Sequence, residues 1–241
     1  MSDKKAVVVT GATGAIGKAI ARKIASLNYP LVIIARNYRK AENTVNEIIQ
    51  ATGNPEVTFE IVDVTRLEDI QSLASNWTKP IHAFINNAAV TPRTKQLTDE
   101  GIELQFATNV LGYFRMTCAF KDILEASAPA RIVDVASYWA GDLDMSDLEF
   151  EKRRYSNGTA YRQSKQANRM LVSAWENRLR QLNITINACH PGDVNSTLSN
   201  NLGFGGSEPP EQGADTPVWL ATDDVVSGIS GKYFEQTPEL D

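Results

Sequence analysis

The chain of 241 residues is poor in the residues that staple or metallate a protein, with only two cysteines and two histidines. Cys118 and Cys189 lie in apolar surroundings with no CxxC spacing and no nearby His pair, so they read as small buried hydrophobes and no metal site is legible. No uninterrupted apolar run approaches the roughly 18–20 residues of a spanning helix. Nothing ahead of Ala6 resembles a signal peptide, which needs roughly 7–15 apolar residues after its charged start. The expectation is a soluble, cytoplasmic protein with no membrane partner. Positive charge is not in excess either: 24 Lys and Arg against 29 Asp and Glu leave −5. That balance argues against nucleic acid as a partner, because such binding rests on dense positive charge. Repeats, low-complexity tracts and linkers are also missing, and a single domain over 1–241 is expected. At 42% hydrophobic residues, a chain of this length buries roughly 70–75% of its unfolded surface and needs no staple.

What is present is alternation. Apolar runs at 6–9, 31–35, 57–62, 83–86, 131–136 and 185–190 are separated by stretches of helical period. Ile20, Ile24 and Leu27 fall at i, i+4 and i+7 in the first of these, and longer helices are expected over 99–127 and 159–182. Near-continuous apolar strands separated by helices imply a parallel sheet covered on both faces, since parallel strands need crossover helices and lose their in/out alternation when doubly buried. The expected class is α/β, a doubly wound parallel sheet of the Rossmann kind. The least regular stretches, about 138–158 and 195–213, follow strands. Ligands in such sheets bind beyond the carboxyl ends of the strands, so these are the expected substrate loops.

The first strand runs at once into Thr10-Gly11-Ala12-Thr13-Gly14-Ala15-Ile16-Gly17. Glycines here permit a tight turn, close backbone approach to a pyrophosphate and close helix-on-strand packing, while the helix start offers free N–H groups and a positive dipole end. A carboxylate about 20 residues on would bond the ribose 2′-hydroxyl of NAD, whereas a 2′-phosphate needs a cation. Arg36 stands 36 − 17 = 19 residues after Gly17, with Arg39 and Lys40 just beyond and no acid at the strand end. The expected cofactor is NADP(H).

Tyr161 and Lys165 are four residues apart in an expected helix and so share a face. A phenol titrates near pH ~10, and a nearby cation is expected to bring it toward the working range. Ser137 closes the run Val133-Asp134-Val135-Ala136, which puts a hydroxyl over the same crevice. Asn109 is a polar residue in the middle of a helix, an unfavourable place that asks for a reason.

In order, the glycine turn, Asp63-Val64, Asn86-Asn87-Ala88-Ala89, Asn109, Ser137, Tyr161-Arg162-Gln163-Ser164-Lys165 and Pro191-Gly192 make the chain resemble the short-chain dehydrogenase/reductase family. The resemblance runs from Thr10 to about Phe234, and it is strongest to the retinol-dehydrogenase-like and carbonyl-reductase-like branch. It implies that Tyr161 exchanges a proton with the carbonyl or alcohol oxygen, Lys165 holds the nicotinamide ribose and lowers the tyrosine pKa, Ser137 bonds the substrate oxygen and Asn109 positions a relay water. It further implies cofactor contacts from Gly11, Thr13, Gly14, Ala15, Ile16 and Gly17, from Asp63 and Val64 at the adenine and from Asn87 and Ala88 at its ribose. Pro191, Gly192, Val194 and Ser196 would border the nicotinamide.

Three departures stand out. Ala15 replaces a glycine usual in the family, which leaves the Gly11, Gly14, Gly17 spacing of the longer epimerase-like branch. The hydrophobic anchor of membrane-bound retinol dehydrogenases is not seen ahead of the first strand, so retinoid specificity is not carried over. Ser196 stands where Thr is usual. The expected activity is NADP(H)-dependent oxidoreduction of a carbonyl or alcohol, a hydrophobic ketone or aldehyde. The rivals are a non-catalytic NADP-sensing regulator and a nucleotide-sugar epimerase or dehydratase. Pairing through the two long helices would give a homodimer or homotetramer.

Overall fold

The computed structural model describes residues 4–235. The six apolar runs become β1 (Ala6–Thr10), β2 (Leu31–Ala35), β3 (Val57–Ile61), β4 (Ile81–Asn86), β5 (Ala130–Val135) and β6 (Ile184–Cys189). A seventh strand, β7 (Tyr233–Phe234), is two residues long, too short to show a period in the sequence. All pair in parallel in the order β3-β2-β1-β4-β5-β6-β7. From β1 the chain winds outward to β3, returns to lay β4 on the other side of β1, and then winds away. The crossovers therefore diverge between β1 and β4, and a crevice opens beyond the carboxyl ends of those strands.

The helices supply the two outer layers. On one face α1 (Ala15–Ser26), α2 (Tyr38–Thr52) and a later helix over Asp215–Thr222 set Ile20, Ile24, Val45, Ile48 and Leu220 against Val7, Val9, Val133 and Val135. On the other, α3 (Leu67–Ser75) and the two long helices set Ile70, Phe120, Leu124, Val172 and Leu179 against Val8, Phe84, Ile132 and Ala136. Burial on both sides is why the strands read as unbroken apolar runs. Asn37 caps α2 by accepting from Lys40 N at 3.0 Å, and Gly53 at φ +72° ends it.

The first long helix was expected from residue 99 but begins at α4 (Leu104–Phe106), continues through a π-helical turn, Ala107–Leu111, and ends as α5 (Gly112–Ala126). Its start is set by Glu103, whose carboxylate accepts from Gln105 N at 2.9 Å and Phe106 N at 2.7 Å, while Gly101 at φ +78° turns the preceding chain. The second is α6 (Asn157–Arg180), capped by Ser156. The loop expected over 195–213 contains two short helices, α7 (Thr197–Leu202) and α8 (Pro210–Gly213), because Ser196 and Ser199 cap each other reciprocally. The helix over Asp215–Thr222 is α9.

Candidate active site

The three glycines of the β1–α1 turn are not equivalent. Gly11 sits at φ +68°, and a Cβ there would lie 2.7 Å from Ala88 Cα; one at Gly17 would lie 2.6 Å from Asn87 Nδ2 and closer still to the Gly11 carbonyl. Both positions exclude a side chain. Gly14 has room, its nearest neighbour being Gly11 O at 3.5 Å. Ala15, the first residue of α1, is exposed at the crevice. Gly14 caps α1 with no side-chain partner, which leaves the first N–H groups of the helix directed at the crevice. The Thr10 hydroxyl ties this turn to the end of β4 by accepting from Asn87 N at 2.9 Å and Ala88 N at 3.1 Å. That clasp was not expected from the sequence, although a threonine closing an apolar strand was its visible mark.

The crevice above this turn holds a cavity of about 280 Å³ lined by Thr13, Ile16, Arg36, Asp63, Val64 and Asn87 together with the glycines, Ala15 and Ala88. Arg36 is exposed at the end of β2, lines the cavity, and is engaged in no ion pair among the described residues. The Asp63 carboxylate is already used, accepting from Thr65 N at 2.9 Å and Thr65 Oγ1 at 2.7 Å. A free cation and a committed carboxylate at this end favour an anionic group on the ligand.

Past Ile16, Asn87, Ala89, Ser196 and Leu198 the crevice widens into a second cavity of about 310 Å³. Ser137, Tyr161, Lys165, Pro191, Gly192 and Val194 line it. Lys165 is 2% exposed and donates from Nζ to the Val135 carbonyl at 2.7 Å. Its ammonium is 5.8 Å from the centre of the Tyr161 ring. Burial pulls Lys165 down to about 8, against the raising influence of Asp134 and Cys189. Tyr161 is pushed up to about 12 by burial, with Ser137 lowering it and Tyr138 raising it. The i, i+4 spacing sets the two groups on one face, and loss of water around each drives their titrations in opposite directions, the phenol up and the ammonium down. Ser137 Oγ accepts from Trp139 N at 3.1 Å.

Asn109 is buried in the π-helical turn, accepts from Val90 N at 2.9 Å, and donates to Val90 O and Ser164 Oγ at 3.2 Å each. It thus fixes the segment after β4 against α6. The Pro191-Gly192 turn needs its glycine because Gly192 sits at φ +94°, a conformation that strains any side chain. The Ser196 hydroxyl caps α7 where the two cavities meet. Trp139 and Phe204 meet edge-to-face at 5.7 Å across the mouth. Within the two expected substrate loops, Tyr138 and Leu198 line the cavity, Met145 is 70% exposed, and Phe150 is buried against Tyr155.

A family model described as short chain dehydrogenase matches residues 5–203. The chain belongs to the short-chain dehydrogenase family. Among its relatives, mouse retinol dehydrogenase 13 is 32% identical over 251 residues, covering 96% of this chain and 75% of that protein. Human retinol dehydrogenase 12 is 34% identical over 244 residues, covering 95% and 77%. In fold, an actinorhodin polyketide ketoreductase solved with NADPH superposes with a TM-score of 0.76 at 22% identity, covering 97% of this chain and 95% of that one. This short-chain dehydrogenase is accordingly an oxidoreductase that acts on small molecules with a nicotinamide cofactor. Its residues fit such a cofactor, since Gly11 and Gly17 leave a cradle that any Cβ would fill beside an uncapped helix start. No helix among the described residues is long and apolar enough to cross a membrane.

Proposed function

We propose that this short-chain dehydrogenase is an NADP(H)-dependent oxidoreductase of carbonyl and alcohol groups, working on a hydrophobic ketone or aldehyde. The observation that carries the reading is one continuous crevice with unpaired Arg36 at one end and Tyr161, Lys165 and Ser137 buried together at the other. Arg36 offers a planar fork for the 2′-phosphate, the turn at Gly11, Thr13, Gly14, Ala15, Ile16 and Gly17 takes the pyrophosphate, and Asp63, Val64, Asn87 and Ala88 flank the adenosine. Pro191, Gly192, Val194 and Ser196 border the nicotinamide, which supplies the hydride when bound.

Burial keeps the Tyr161 hydroxyl protonated through the neutral range, so it is poised to donate its proton to a carbonyl oxygen as negative charge develops there. Ser137 donates to the same oxygen. Lys165 keeps its ammonium beside the phenol and holds the cofactor ribose. Asn109 positions a water that relays protons to Lys165. The aromatic mouth formed by Trp139, Tyr138 and Phe204 suits an apolar substrate. Exposed Phe114 and Met170 on α5 and α6, with Phe114 packed on Trp175 at 5.7 Å, support pairing of two copies through these helices as a dimer or tetramer. Sedimentation at micromolar concentration tests that assembly, and a single species at 26.5 kDa would remove it.

The function is tested with a panel of ketones, aldehydes and quinones, followed by loss of reduced-nicotinamide absorbance with NADPH and with NADH in parallel. Turnover is expected for apolar carbonyls with NADPH preferred. Tight NADPH binding with no turnover on any carbonyl would instead indicate a sensor.

A further inference from the structure

We propose that Asp134 is the counter-charge that positions Lys165, a role that rests on the function assigned to Lys165 above. A carboxylate in the second-last residue of a central strand is out of keeping with the apolar run around it. Asp134 is nonetheless 3% exposed, between β4 and β6 in the middle of the sheet. Strand alternation turns Val133 and Val135 toward the α1 face and Ile132 and Ala136 toward α5 and α6, so Asp134 points to the face that carries Lys165. The next carbonyl along, Val135, is the one that accepts from Lys165 Nζ at 2.7 Å and from Tyr113 Oη at 3.3 Å. Asn86, directly opposite on β4, donates to Asp134 Oδ1 at 2.8 Å and is itself fully buried.

One carbonyl dipole does not compensate a buried ammonium for lost water; a carboxylate behind it does so at range. The groups that bear on Asp134 are Asn86, which donates to it from β4, and, through their charges, Tyr113 from α5, Lys165 from α6 and Cys189 on the other face of β6; among these Lys165 is the only cation. Burial raises Asp134 to about 7, with Asn86 and Lys165 lowering it, while Asp134 in turn raises Lys165. Each charge thus favours the ionised form of the other, against the burial that opposes both. Asp134 does not touch the crevice and acts only through Lys165, which makes it a positioning residue.

The test has two arms. In protein labelled with carboxyl-¹³C aspartate and free of cofactor, Asp134 is expected to titrate near neutrality, and Lys165→Met should move its midpoint up by about one pH unit. A midpoint unmoved by Lys165→Met overturns the pairing whatever the enzyme does. In turnover, Asp134→Asn keeps shape and the acceptor for Asn86 but removes the charge. Lys165 then loses its proton more readily, so the alkaline limb of the kcat profile should move about one pH unit lower. Asn86→Ala, which leaves the carboxylate without its donor, should move the limb the same way. A merely structural role would lower kcat equally at every pH, and a limb that stays in place in both variants overturns the proposal. Should Asp134→Asn not fold, the titration in Lys165→Met decides alone. Failure of the carbonyl assignment shows separately, as a wild-type protein inactive on every carbonyl.

Discussion

Replacing Arg36 with Ala should separate the two nicotinamide cofactors. The guanidinium lies exposed at the rim of the crevice, and no ion pair among the described residues has to be broken before it meets a ligand. A charge-assisted hydrogen bond contributes about 1.5–3 kcal/mol. Solvent screening at an exposed rim reduces this to about 1–2 kcal/mol, or roughly 5- to 30-fold in affinity. NADH carries no 2′-phosphate, so its affinity should change by less than about twofold. Fluorescence titration of both reduced cofactors against wild type and Arg36→Ala gives the four dissociation constants. Raising the salt from about 0.05 to 0.5 M should shrink the NADPH difference, because screening shortens the reach of an exposed charge. Equal losses for both cofactors, or wild type that binds NADH as tightly as NADPH, would refute the assignment.

Gly17→Ala should abolish cofactor binding and cost about 1–3 kcal/mol of stability, read by thermal unfolding, because its Cβ would drive into Gly11 and Asn87. Gly14→Ala, with space around it, should fold normally and serve as the control. Reduction by the wild type should decline as pH rises through about 8, where buried Lys165 loses its charge, while the Tyr161 phenol, raised to about 12, stays protonated. A decline appearing only above pH 10 would assign the limb elsewhere. Burial alone would raise Asp147, but Arg153 and the N–H groups of Glu151, Lys152 and Arg153 prevail and hold it at about 2. Its contribution to the 139–156 segment is therefore complete above about pH 4 and lost as pH falls toward 2. Limited proteolysis of that segment should accelerate over that interval in wild type and at neutral pH in Asp147→Asn.

The sheet was legible because doubly buried parallel strands leave unbroken apolar runs, as Leu31–Ala35 does, whereas Tyr233–Phe234 is set by pairing with Ala188 and Cys189 rather than by any pattern of its own. The start of the first long helix was misplaced by five residues because a Glu cap at 103 and a glycine turn at 101 override the helical period there. The family resemblance named residues from Gly11 to Ser196, and these, Asn109 excepted, line the crevice because strand ends of a doubly wound sheet converge on one edge. What spacing cannot give is solvent exposure. The four-residue step from Tyr161 to Lys165 was visible, but the direction in which burial drives both groups was not, and the knot of Asp147 with Arg153 joins residues with no periodic relation. Asp134 was silent for the same reason, being a lone acid whose partners come from β4 and α6.

The most direct measurement is steady-state carbonyl reduction by Tyr161→Phe beside NADPH binding to the same variant. Turnover should fall by at least about 100-fold, the range of a lost general acid, while the NADPH dissociation constant stays within about twofold of wild type. Undiminished turnover by Tyr161→Phe would contradict proton delivery by this phenol and, with it, the assignment of the chemistry to this end of the crevice.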